Sequence, residues 1–352
     1  MTAWKAIAQS HELQLPTFAF TSGDRLSLKL HCRTLGKLNG AGDNAVLLLH
    51  GTTGSSLQFL KPDTADFLFG PRQPLDQNEY FVIMPDAIGH GESSKPSDEL
   101  GTEFPQYSYT DIVVTQHAIV RDLFAIDHLR LVLGTSMGGM QTWMWGILYP
   151  DMMDALIPIA CLPERLTGHN LLFRRLMLAI IRSDPRYAGS KSSPTSHGLG
   201  LAWNLFQLMI GSQAELAEQF IDADAADQHI WKIADEAENS QQVADVIWEF
   251  NASRDYDPGR DLAKIGAPLL SLNFSDDVIN SPRFGVLNSD IRRVPHGRAV
   301  IIDAGANGRG HQTLARAEVW RDYVSQLLRQ TSTRPKGSDP TCKSRIQKDK
   351  YG

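Results

Sequence analysis

Cysteine is scarce in this chain. Cys32, Cys161 and Cys342 are odd in number and far apart in 352 residues, which excludes a disulfide framework and any paired-cysteine metal motif. No apolar run approaches the length of a bilayer span, and Met1-Thr2-Ala3-Trp4-Lys5 lacks the apolar stretch of a signal peptide. Positive charge is not in surplus: 34 Lys and Arg stand against 40 Asp and Glu, a net charge of −6, which argues against a nucleic-acid footprint or a polybasic membrane surface. A phosphate-binding G-x-x-x-x-G-K-[ST] loop is absent, and the Gly308-Arg309-Gly310 cluster is too fragmentary for a dinucleotide fingerprint. No internal repeat occurs. The expectation is a cytoplasmic protein with a small-molecule substrate, no cofactor, no metal, and no nucleic-acid or membrane partner. With 42% hydrophobic and 21% charged residues, the chain can bury a sizeable core.

What is present centres on Gly134-Thr135-Ser136-Met137-Gly138-Gly139-Met140-Gln141. It follows the apolar run Leu129-Arg130-Leu131-Val132-Leu133 and precedes Thr142-Trp143-Met144-Trp145, so it falls between a strand and a helix. The spacing is G-x-S-x-G, the nucleophile elbow. A serine held at a sharp strand-to-helix turn needs a strained backbone, and side chains at the flanking positions would meet neighbouring backbone. The turn lifts the Ser136 hydroxyl to a helix N-terminus, where amide N–H groups favour developing negative charge.

Matching parts stand elsewhere. Ala45-Val46-Leu47-Leu48-Leu49 runs into His50-Gly51-Thr52-Thr53-Gly54, and Tyr80 to Pro85 runs into Asp86-Ala87-Ile88-Gly89-His90-Gly91-Glu92-Ser93-Ser94. Downstream, Pro268 to Phe274 ends in Ser275-Asp276-Asp277, and Ala299 to Asp303 leads through a glycine-rich loop to His311. A Ser, Asp, His order with both partners just after strands is the order this elbow requires. Over roughly residues 16 to 330 the chain resembles the α/β-hydrolase superfamily. Within it, the extended elbow and Phe274-Ser275-Asp276-Asp277 followed by Ser281-Pro282 resemble the homoserine O-acetyltransferase-like branch. The resemblance implies a mostly parallel eight-stranded sheet flanked by helices, with an inserted helical lid.

The expected roles follow. Ser136 is the nucleophile, His311 the general base, and an aspartate orients the imidazole. Spacing does not choose between Asp276 and Asp277; the resemblance favours Asp277. The amides of Thr52 and Met137 are the expected oxyanion donors. Asp303, at a strand end, reads as structural, and His50 and His90 read as loop-orienting residues.

Along the chain, residues 1–15 read as a polar lead-in, and Phe18-Ala19-Phe20 with Leu26 to Leu30 as an antiparallel hairpin. Ile112 to Ile126 has helical spacing with Thr110 as cap. The expected α/β core is 1–163 plus 263–330. Residues 164–262 lack a convincing strand and form the lid, with helices over Leu171 to Ile181, Leu201 to Ile210, Ala214 to Ile221 and Val243 to Phe250. Leu314 to Leu328 closes the core, and 331–352 is an expected disordered tail.

The sequence departs from the branch it resembles. Homoserine acetyltransferases carry an Arg in the first lid helix, about two turns before an Asp-Pro pair, that grips the substrate carboxylate. Before Asp184-Pro185 this chain offers Met177 or Leu178 there, with Arg174 and Arg175 about a turn away on an apolar face. The Asp86 to Ser93 loop also has a hydrolase-like Gly89-His90-Gly91 in place of a Gly-Gly-Cys-type segment. Without a fixed cation a substrate carboxylate is poorly held. The expected reaction is therefore hydrolysis of a carboxylic ester or related acyl bond through an acyl-serine intermediate. The alternative is an acyl-CoA-dependent O-acyltransferase of the homoserine O-acetyltransferase type. The stripe Trp203, Phe206, Met209, Trp231, Trp248 and Phe250 suits an apolar substrate group, and equally core packing or a homodimer seam through the lid helices.

Overall fold

The computed structural model describes residues 3–187 and 197–331. In chain order the elements are α1 (Ala3–Ile7), β1 (Gln9–Ala19), β2 (Arg25–Leu35), β3 (Ala45–Leu49), α2 (Pro62–Leu68), β4 (Phe81–Pro85), α3 (Tyr109–Ala118), β5 (Leu131–Thr135), α4 (Met137–Leu148) and β6 (Leu156–Ile159). Five helices follow: α5 (Gly168–Ser183), α6 (His197–Ile210), α7 (Gln213–Gln219), α8 (Ala223–Ser240) and α9 (Val243–Asn251). The chain ends in β7 (Leu269–Phe274), α10 (Phe284–Asp290), β8 (Gly297–Ile302) and α11 (Ala317–Gln330). The eight strands form one sheet in the order β1-β2-β4-β3-β5-β6-β7-β8. β1, β2 and β4 pair antiparallel, and every pairing from β4 through β8 is parallel. This is the mostly parallel eight-stranded sheet with flanking helices that the sequence implies.

The central strands are continuous apolar runs because both faces of the sheet are covered. Successive side chains alternate sides. Leu47, Leu49 and Val132 pack into one core, and Val46, Leu48, Leu131 and Leu133 into the other with Trp320, Val324 and Leu327 of α11. Each fully buried aliphatic side chain contributes about 1.5–3 kcal/mol. Among the described residues no helix is long and apolar enough to cross a membrane.

Several local readings change. The expected lead-in 1–15 contains α1 and most of β1, an edge strand paired from Gln9↔Thr34 to Ala19↔Arg25. Only Phe18 of β1 is fully buried, with His11, Leu13 and Leu15 half-buried, so the apolar signal is thin. The register shifts between Leu15 and Phe18, around Pro16, where a ladder donor is missing. The cap of α3 is Ser108, not Thr110. Its hydroxyl accepts from the Asp111 amide while Asp111 reaches back to the Ser108 amide, a reciprocal capping box. The 18-residue helix α8 escapes the sequence reading because it buries only Ala234 and Ala237. It packs through small residues: a Cβ at Gly200 would stand 2.7 Å from Ala234 Cβ. Beyond Thr331, the expected tail 331–352 lies outside the described residues.

The closing helix is tied to the sheet by Arg130, which is 5% exposed. Its guanidinium donates to the Thr331 hydroxyl at 2.8 Å and to the carbonyls of Leu328 at 2.5 Å and Thr331 at 2.7 Å. A cation at a helix C-terminus satisfies carbonyls that the helix itself cannot. Arg130→Met should therefore cost about 3 kcal/mol, since it strands buried acceptors. A denaturant midpoint unchanged from the parent would show that this cap contributes nothing.

Candidate active site

The elbow forms because three backbones meet almost in contact. Ser136 has φ 53° and ψ −112°, a conformation that costs a non-glycine residue on the order of 1–3 kcal/mol. A Cβ at Gly134 would stand 2.1 Å from the Gly138 carbonyl oxygen, and one at Gly138 would stand 2.0 Å from that of Leu49. Only glycine fits at either position. α4 can therefore start directly over β3 and β5, with Ser136 at its N-terminal end and Met137 as its first residue.

The chain brings His311 and Asp277 to this hydroxyl from the ends of β8 and β7. His311 Nε2 is 2.8 Å from Ser136 Oγ, and His311 Nδ1 is 2.8 Å from Asp277 Oδ2. With Nδ1–H donating to the carboxylate, Nε2 accepts from the hydroxyl. Asp277 is fully buried; it also accepts from the Ile279 amide at 2.9 Å and from Asn280 Nδ2 at 2.8 Å. Asp276 points elsewhere. Its Oδ2 accepts from the Gly310 amide at 2.7 Å, so it holds the loop that carries His311. The two adjacent aspartates thus divide contact with the imidazole from support of its loop. Asp303 is exposed and caps the turn at the Gly305 amide.

Opposite the elbow lies the loop His50 to Gly54. A Cβ on Gly51 would be 3.7 Å from Ser136 Cβ, so this loop borders the hydroxyl. His50 Nδ1 donates to the Gly51 carbonyl at 2.8 Å, and its Nε2 accepts from the Ala87 amide at 3.1 Å. This fixes the tautomer and the plane of the Gly51–Thr52 peptide. Burial holds the His50 imidazole below its usual range, in keeping with a neutral ring. His90 Nε2 lies 2.7 Å from the Thr52 carbonyl oxygen; burial, then the neighbouring His50, pushes His90 down to about 3.

Sequence reasoning missed Gln58. Its Oε1 accepts from the Gly51 amide and its Nε2 donates to Thr135 Oγ1, both at 2.8 Å. One amide side chain thereby spans the Gly51 loop and the residue before Ser136. No spacing rule marks such a bridge. The aromatic stripe divides: Trp248 and Phe250 are buried, Trp203, Phe206 and Met209 pack partly against the core, and Trp231 is 67% exposed.

The expected apolar face of α5 holds a cation. Met177 and Leu178 are buried as read, but Arg174 is buried beside them, at 6% exposure. Its Nε donates to Asn170 Oδ1 at 2.9 Å and its Nη1 to Ser253 Oγ at 3.3 Å. Its guanidinium carbon lies 5.6 Å from the Phe173 ring centroid and 5.5 Å from that of Phe250. Burial lowers its pKa, opposed by the nearby Tyr109 phenol, but arginine stays charged in proteins. Among the described residues no carboxylate lies within ion-pair distance of it. Arg175 instead donates to Asn251 Oδ1 on the exposed side. The sequence missed this because an arginine in an apolar stretch normally snorkels outward. Among the described residues no group of three His, Cys, Asp or Glu side chains is arranged to hold a metal ion.

The close approach at the elbow gives a stability test. Gly138→Ala should lower the melting temperature by several degrees, because the new methyl meets a backbone carbonyl that cannot move without β3. In an open helix the same change adds about 1 kcal/mol of stability. Unchanged melting would mean that α4 does not press on Leu49.

Comparison with known proteins agrees with this fold. A family model described as alpha/beta hydrolase fold matches residues 44–189. A homoserine O-succinyltransferase of Magnetococcus marinus is 34% identical over 55% of the chain, a match that spans only about half (55%) of that protein's length. A homoserine O-acetyltransferase of Trichormus variabilis is 29% identical over 77% of this chain and 81% of its own length. The crystal structure of a homoserine O-acetyltransferase from Bacillus anthracis superposes with a TM-score of 0.79 at 19% identity, covering 93% of this chain and all (100%) of that one. Strand order, elbow and these matches agree on the alpha/beta hydrolase fold, and the relatives to which the chain is similar include homoserine O-acyltransferases.

Proposed function

We propose that the chain is an O-acyltransferase of the homoserine O-acetyltransferase type, working through an acyl-Ser136 intermediate. In this reading His311 takes the Ser136 proton as Oγ attacks the acyl carbon of a thioester donor. Asp277 orients the ring and stabilises its charged form. The tetrahedral oxyanion is met by the amides of Thr52 and Met137. His50 supports the first donor by fixing the Gly51–Thr52 peptide, and the start of α4 supplies the second. As the intermediate collapses, His311 returns the proton to the departing thiolate. It then removes a proton from the acceptor hydroxyl as that oxygen attacks the acyl-serine, and passes this proton to Ser136 Oγ as the acyl–Oγ bond breaks.

The observation that carries transfer over hydrolysis is Arg174, a buried guanidinium without a carboxylate partner among the described residues. Such a group costs several kcal/mol to bury and is stabilised by an incoming carboxylate, held in a bidentate pair. This supports an acceptor that bears both a hydroxyl and a carboxylate, which a simple ester hydrolase does not need. The relatives named as homoserine acyltransferases support the same reading. Hydrolysis is the second reading. It is favoured by the buried Met177 and Leu178, where the branch carries its own arginine.

Acetyl-CoA or succinyl-CoA with homoserine or serine should give the O-acyl amino acid faster than free acid. Arg174→Met should raise the KM for the amino acid at least about tenfold, the loss of one charged hydrogen-bonded contact. Ester cleavage indifferent to added amino acid would favour hydrolysis and overturn this reading.

For the triad, Asp277→Asn should lower turnover by roughly four orders of magnitude through the wrong imidazole tautomer. Asp276→Asn should act mildly, through the His311 loop. Ser136→Ala should abolish the fluorophosphonate adduct on the peptide that carries the elbow. Reversed ranks of the two aspartate variants would make Asp276 the triad member.

A further inference from the structure

A second Ser-His-Asp chain stands toward the antiparallel edge of the sheet, on strands β1 and β2 and the loop after β4. Ser10 Oγ lies 2.7 Å from His31 Nε2, and His31 Nδ1 lies 2.7 Å from Asp86 Oδ2. These distances match those of the Ser136 chain. The imidazole and the carboxylate are buried, and Ser10 is exposed on the edge strand.

The environment fixes the proton positions. Burial opposes the Asp86 charge, but hydrogen bonds from His31 and from the amides of Glu92 and Ser56 outweigh it and hold the carboxyl well below its usual range. An ionised carboxylate only accepts, so His31 carries its proton on Nδ1. In the neutral ring Nε2 then accepts from Ser10, whose hydroxyl is the donor. Glu92 Oε2, 3.6 Å from Nε2, favours the positive charge that the ring would gain by taking that proton. Arg33 is paired with Glu92 and stands 4.0 Å from Asp86 Oδ2.

We infer that Ser10 is an activated nucleophile and a self-acylation site for activated acyl esters. Ser10 Oγ bonds to the acyl carbon while its proton passes to His31 Nε2. The carbon–oxygen bond of the aryl leaving group then breaks, and the departing phenoxide takes the proton from His31. The products are O-acyl-Ser10 and a phenol. Ser10 has the regular backbone of a strand, outside the residues with positive φ, so no helix N-terminus stabilises its oxyanion. The acyl group therefore stays on Ser10 and does not turn over.

The test uses the full chain carrying Ser136→Ala, treated with para-nitrophenyl acetate and mapped by mass spectrometry of its peptides. Acetyl should accumulate on Ser10 about a hundredfold faster than on other exposed serines, the scale of general-base assistance. Adding His31→Gln should remove this advantage. Labelling of Ser10 no faster than elsewhere, or undiminished in a folded His31→Gln protein, overturns the inference. The pH profile decides without that variant. With His31, faced by Asp86, Glu92, Arg33 and the neighbouring His11, as the base, the rate should reach a plateau with pH. A rate that climbs in proportion to hydroxide also overturns it.

Discussion

The contact of α4 with the carbonyl of Leu49 is the constraint on which the rest of the site depends. A helix that starts this close to two strands forces its preceding residue into a strained turn, and Ser136 takes it at φ 53°. Strain of this kind persists only where surrounding structure over-determines the backbone. Here it is held by Gly134 and Gly138, whose missing Cβ atoms would each lie about 2 Å from a carbonyl oxygen, and by a helix that is itself largely buried. The hydroxyl owes both its exposure to His311 and its place beside the first amides of α4 to that approach. The glycines thus act through the backbone of their neighbours, not through flexibility.

Around the elbow, short hydrogen bonds do the positioning. Gln58 ties the Gly51 loop to Thr135, His50 fixes the Gly51 carbonyl, and Asp276 holds the amide of Gly310. Gly54 makes room for one of them: a Cβ there would be 2.5 Å from Gln58 Oε1. A site whose reacting groups need sub-ångström placement is better served by short, rigid hydrogen bonds than by long ion pairs, which hold geometry loosely at a surface.

How much of this was legible in the sequence depended on what each feature needed in order to show. The parallel strands announced themselves because burial on both faces makes them continuously apolar, and the elbow because only glycine fits beside it. β1 was nearly invisible: an edge strand buries one partial face, and Gln9-Ser10-His11-Glu12 has no apolar period to read. α8 was missed because alanine packing leaves no large-residue stripe. Arg174 was visible as a residue but not as a buried one, since its acceptors Asn170 and Ser253 are one turn and 79 residues away. Gln58 fails for the same reason. A hydrogen bond that closes 77 residues of chain has no local signature.

The two Ser-His-Asp chains separate what side chains contribute from what the backbone contributes. Their hydrogen-bond lengths agree to within a tenth of an ångström, and both place a buried carboxylate behind the imidazole. If proton transfer alone made a catalyst, the protein would have two. Ser136, however, stands at a strained turn before a helix, bordered by a loop whose peptide plane is fixed by His50. Ser10 stands in a ladder of strand hydrogen bonds. Stabilising charge on the acyl oxygen is commonly the largest single contribution to acyl transfer, and it comes from amides that must already point at that oxygen. Only Ser136 sits at a helix N-terminus, so on the proposed reading it is the backbone that makes one chain turn over and leaves the other at a single acylation.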